Sequence, residues 1–168
     1  MDLFECLLED HRALRGAYQE VERRLGAPAG VGWSDQRRLD KPALDEALRA
    51  FRAALHAHAE VERVYLERTL RQVRQETRTA EVIDEACRLV ESMLELCCSV
   101  SSASDGQHLH ALRATVRRLG ANLELHLGYE EKELFPRMAK ELSPEVLAEL
   151  GRRATLRGGG AARAATSS

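Results

Sequence analysis

The chain has 168 residues, 44% hydrophobic and 31% charged, a balance that suits one globular domain and excludes a disordered or collagen-like chain. Its net charge of −2 and pI near 6.3 offer no electrostatic footprint for nucleic acid. No apolar run approaches the roughly 18 residues of a membrane span, and the acidic start MDLFECLLEDHR argues against a secretory signal.

The periodicity predicts helix nearly everywhere. A first helix spans about Asp2 to Leu25, with Leu3, Leu7, Leu14, Tyr18, Val21 and Leu25 on one stripe. Gly26 ends it, and a Gly/Pro-rich loop follows in which Trp33 is the expected anchor. A second helix starts near Pro42 and carries Leu44, Leu48, Phe51, Leu55, Leu66, Leu70 and Val73. The third covers about Thr79 to Val100, with Ile83, Val90, Met93, Leu94 and Cys97 on its stripe. The fourth runs from about His108 to Glu141 through Leu112, Val116, Leu119, Leu123 and Leu134. Ser143 and Pro144 open a short fifth helix to about Arg153. The expected architecture is all-α: an up-down-up-down four-helix bundle with a short C-terminal helix over residues 1–156, then a low-complexity, disordered tail at 157–168. Cys6, Cys87, Cys97 and Cys98 form no CxxC and a poor disulfide framework, so reduced thiols in a cytoplasmic protein are expected.

Five polar residues interrupt the apolar stripes. His11 falls between Leu7 and Leu14, His58 and Glu62 fill the gap between Leu55 and Leu66, and His126 and Glu130 follow Leu123. The second and fourth helices align without gaps, His58 on His126 and Glu62 on Glu130. The first and third also align, which places Cys87 where His11 stands in the other half. At 1.5 Å per residue, His11, His58, Cys87 and His126 lie about 21 to 28 Å from their respective turns, so antiparallel helices bring them to one level. A His and Glu four residues apart share a helix face and can bind one ion or bridge two. Imidazole with carboxylate suits iron, manganese or zinc. His56 and Glu60 share the spacing but lie off the stripe, where a solvated face is expected. His108, about 27 Å from His126, belongs to the other end of the bundle.

These segments resemble the hemerythrin-like, or HHE cation-binding, domain family over about residues 1–141. HLGYEEKELFP at 126–136 is similar to the family's H-x-x-x-E-E…[LF]-P signature. HAEVERVYL at 58–66 matches in part, with Arg63 at the second acidic position and Arg68 where the proline would stand; EDHRALRG at 9–16 resembles the first-helix segment. The resemblance implies a non-haem di-iron centre with His11, His58 and His126 as terminal ligands and Glu62 and Glu130 as bridges. It also implies an open iron position for dioxygen, nitric oxide or peroxide, and peroxide breakdown or nitric oxide reduction as catalytic variants. The third helix departs from the family: Cys87 stands in for a histidine. It is a thiolate ligand, or water fills the position, or the second metal position is lost, leaving one iron. The rival reading is a degenerate or mononuclear-metal bundle acting as an interaction or regulatory module.

Overall fold

A computed structural model describes residues 1–26, 40–71, 77–101 and 106–165. Helix α1, Leu3–Arg24, begins at a reciprocal capping box: Asp2 accepts from the Glu5 amide at 2.9 Å, and Glu5 accepts from the Asp2 amide at 2.8 Å. Gly26 terminates it with a φ of +63°, a conformation that costs glycine no Cβ clash. Asp40 caps α2, Lys41–Val61, by accepting from the Ala43 amide at 3.2 Å, and Pro42 sits in the first turn where no amide is needed. A π-helical turn, Glu62–Glu67, continues α2. Helix α3 spans Thr77–Ser101 and α4 spans Gly106–Tyr129. A second π-helical turn, Glu130–Leu134, joins α4 to the single turn of α5, Phe135–Met138.

The last helix, α6, covers Pro144–Ala165, with the Ser143 hydroxyl accepting from the Val146 amide at 3.4 Å. It runs well past the expected end at Arg153 and through most of the segment expected to be a disordered tail. Leu147, Gly151 and Ala154 are buried, so packing supplies the costly first turns. The helix continues through three consecutive glycines, each about 1 kcal/mol less favourable than alanine, and nothing in the structure accounts for that last stretch. Gly151 is required there: a Cβ would stand 2.4 Å from the Asp2 backbone. The expectation for Trp33 lies outside the described residues.

The chain is all-helical, with no strand among the described residues. Helix α1 packs against α2 and α6, α2 against α3, and α3 against α4. Arg113 of α4 donates to the Leu25 carbonyl at 2.9 Å, tying α4 to the end of α1. No helix among the described residues is long and apolar enough to cross a membrane.

Two apolar clusters make the core. One gathers Leu14, Leu48, Phe51, Leu55, Val90, Leu119, Leu123 and their neighbours; the other gathers Leu3, Leu7, Leu66, Leu70, Ile83, Leu134 and Phe135. Each fully buried leucine or phenylalanine contributes about 1.5–3 kcal/mol. Three arms cross from one cluster to the other at a buried polar residue: α1 at His11, α2 at His58, and α4 with its π turn at Glu130, between Leu127 and Leu134. On α3 the crossing falls between Ile83 and Val90. That interval contains Cys87, whose side chain lies outside the described residues, as do those of Cys97, Cys98 and His108.

Candidate metal centre

Between the two clusters lies a layer of charge-capable side chains with almost no access to solvent. His11, His58 and Glu130 are fully buried, Glu62 is 1% exposed and His126 5%. Each of His58, Glu62, His126 and Glu130 offers one ligand atom, and those four atoms all fall within 4.8 Å of one another. His58 Nε2 and His126 Nε2 both lie 3.4 Å from Glu62 Oε1. His11 Nε2 lies 3.1 Å from Glu130 Oε2, and its ring meets the His58 ring edge-on at 4.9 Å. All five residues singled out in the sequence therefore converge. The rival pair separates from them: His56 is exposed, and Glu60 pairs with Arg63 on the outer face.

Regular helix up to Val61 and Tyr129 puts each glutamate on the inward face of the histidine four residues before it. Each then starts a π-helical turn, Glu62–Glu67 on one arm and Glu130–Leu134 on the other. In the second arm the Phe135 amide donates to the Glu130 carbonyl, the i to i+5 bond that defines the widened turn. Pro136 lacks an amide and would crowd a regular helix there. The first arm has Arg68 at that position and widens all the same, so proline is not the common cause. What the arms share is a buried carboxylate at the head of the turn.

Electrostatics make this layer costly unless something positive sits in it. Burial and the neighbouring Glu62 carboxylate push the Glu130 carboxyl well above its ordinary range, so in the absence of a cation it keeps its proton. Burial also opposes a charged Glu62, but His58, Glu130 and His126 outweigh it and hold Glu62 well below its usual value. Burial works against a charged His58 too; attraction to Glu62 overcomes this and raises its pKa. His11 goes the other way: burial and repulsion from His58 lower it to about 4, despite its bond to Glu131.

Several buried atoms still go unmet. His58 Nδ1, His58 Nε2 and Glu130 Oε1 have no hydrogen-bond partner, although His58 Nε2 lies close to Glu62. Such atoms ordinarily cost several kcal/mol each in transfer terms. A cation bound to them would remove that cost. Neighbouring ligand atoms on an ion about 2.1 Å away stand roughly 3.0–3.4 Å apart, close to the spacing found here. Imidazole nitrogens with carboxylate oxygens form a donor set for iron, manganese or zinc. The buried group could hold a metal ion, and its residues fit one.

Two interactions around the layer were not anticipated from sequence. Glu131 accepts from His11 Nδ1 at 2.8 Å and from Arg15 Nη1 at 2.7 Å, and Arg15 grips both oxygens of Glu124. Asp10 is half-buried and near enough to His58 to interact with it electrostatically. A signal for the first was present: Arg15 lies one turn after His11, and Glu131 lies directly after Glu130 in the fourth-helix motif. Among known proteins, the chain matches no family model, no curated protein and no solved structure. What the centre can do rests on its own residues.

Proposed function

We propose that the chain is a hemerythrin-like protein: an up-down-up-down four-helix bundle that holds non-haem iron and binds, senses or detoxifies a small oxidant. The observation that carries this reading is the meeting of both H-x-x-x-E pairs and His11 in one buried layer, with His58 nitrogens and a Glu130 oxygen left unmet. His11, His58 and His126 would hold the iron through nitrogen, and Glu62 and Glu130 through oxygen. Iron bound there supplies reducing electrons and a coordination position open to dioxygen, nitric oxide or peroxide. Two carboxylates able to bridge favour a pair of ions.

The protein's own residues do the rest. Leu66, Leu134 and Phe135 on one side and Leu55, Leu123 and Leu127 on the other keep bulk water from the layer. A dry site limits leakage of reactive products. Glu130 and His58, whose proton affinities the fold raises, are the groups that give up protons as a cation enters.

A mononuclear centre is the second reading. It is favoured by four ligand atoms within 4.8 Å, a group small enough for one ion to draw together. Anaerobic loading with iron(II), followed by nitric oxide or dioxygen, tests the function. A visible absorption change that saturates with added gas, and is lost in His58→Ala, supports it. Loaded protein that responds to neither gas nor peroxide contradicts it.

A further inference from the structure

His11 is spanned by two consecutive carboxylates. Glu130 Oε2 meets Nε2 at 3.1 Å, and Glu131 Oε1 meets Nδ1 at 2.8 Å. Neighbouring residues in a helix ordinarily diverge by about 100°, so few consecutive pairs can clasp one ring this way. Glu131 is itself held. The oxygen that faces His11 also accepts a hydrogen bond from Arg15 Nη1 at 2.7 Å, and Arg15 is anchored to Glu124 at 2.9 and 3.1 Å. A carboxylate gripped by a guanidinium only accepts, so the proton in its bond to His11 sits on Nδ1. The ring plane is fixed as well, stacked on Phe135 at 5.7 Å between centroids.

We propose that Glu131, clamped by Arg15, is a positioning residue that locks His11 with its proton on Nδ1 and so aims the Nε2 lone pair into the metal centre. This rests on reading the His/Glu layer as a metal centre. Carboxylates that orient a ligating imidazole in this manner are a general device for setting metal affinity. The other arm supplies a built-in contrast: Arg63 stands one residue after Glu62, faces solvent and pairs with Glu60.

The test uses Glu131→Gln, which keeps an oxygen acceptor for both donors, and Glu131→Leu, which removes it. Glu131 is a quarter exposed, so neither change empties the core. Nitrogen-detected histidine NMR of the metal-free protein reads the tautomer, and anaerobic competition against an iron(II) chelator reads affinity. The wild type and Glu131→Gln are expected to show the Nδ1–H form and to bind iron(II) within about threefold of each other. Glu131→Leu is expected to lose that form and about 10–100-fold in affinity. Wild-type tautomer and affinity in Glu131→Leu would overturn the proposal alone. No iron(II) binding by the wild type would overturn it together with the metal reading.

Discussion

Glu62 and Glu130 each follow a buried histidine by four residues and each start a π-helical turn, but they sit in unlike company. Glu62 lies 3.4 Å from two imidazole nitrogens and stays ionised. Glu130 faces His11, Glu62 and the nearby Glu131 charge, and holds its proton well above the usual range. The residue that follows differs too: Arg63 points to water, whereas Glu131 reaches back to His11. One spacing on two helices thus produces an anion on one side and an acid on the other. The asymmetry comes from where the imidazoles point: His58 on the same helix and His126 across the core both face Glu62, whereas Glu130 meets His11.

The largest way to break this comparison is to remove the cationic partner of Glu62. His58→Leu in the metal-free protein leaves a buried carboxylate uncompensated and is expected to cost about 3–5 kcal/mol in chemical denaturation. Glu130→Leu is milder. It removes a protonated acid rather than the partner of a buried charge, leaves His11 Nε2 without its bond, and is expected to cost about 1–3 kcal/mol in the metal-free protein while abolishing metal binding. Chemical denaturation and elemental analysis of the same preparation read both effects. Equal losses in the two variants would erase the distinction between the arms.

Acidity gives a finer test in the metal-free protein. Glu130 loses its proton near its ordinary 4.5 when unfolded but keeps it to higher pH when folded. Its contribution is therefore complete below about 4.5 and is lost as pH rises through the folded value. His11 behaves in reverse. The unfolded chain holds that proton up to about 6.5 and the fold releases it near 4, so stability is gained as pH rises between them. The melting temperature of the wild type should fall relative to Glu130→Gln as pH rises from about 5 to 8. A parallel pair of curves would deny the raised acidity constant. Metal addition should also release protons, read by calorimetry in buffers of different ionisation enthalpy.

The smallest effect belongs to the outer face. Arg63→Glu gives the first arm the same dipeptide as the second, but its side chain is 63% exposed. Stability should change by less than about 0.5 kcal/mol and metal content not at all. A large loss would mean that position 63 reaches the layer.

Much of this was legible in the sequence because helical periodicity is a strong signal. The stripes carrying Leu7, Leu55 and Leu123 correctly isolate His11, His58 and His126 as polar residues in apolar company, and all three are buried. The match between His58/Glu62 and His126/Glu130, whose four side chains meet, is likewise visible without coordinates. The π turns are not. A widened turn breaks the regular 3.6-residue count, and Arg68 shows that no proline need announce it. Glu131 was half legible: its place after Glu130 and that of Arg15 one turn after His11 are in the sequence, but a regular helix would carry Glu131 away from Glu130, and the ring they share shows only in the packed structure. In the C-terminal helix, packing of Leu147, Gly151 and Ala154 accounts for the start, and no sequence signal announces the run through three glycines.

Metal content per folded chain bears most directly on the central claim. Protein made in iron-supplemented cells and purified without chelator should carry about two irons, with a helical spectrum, and should lose them in Glu62→Leu and Glu130→Leu. Folded wild-type protein without stoichiometric metal, or with metal that both variants retain, would contradict the account.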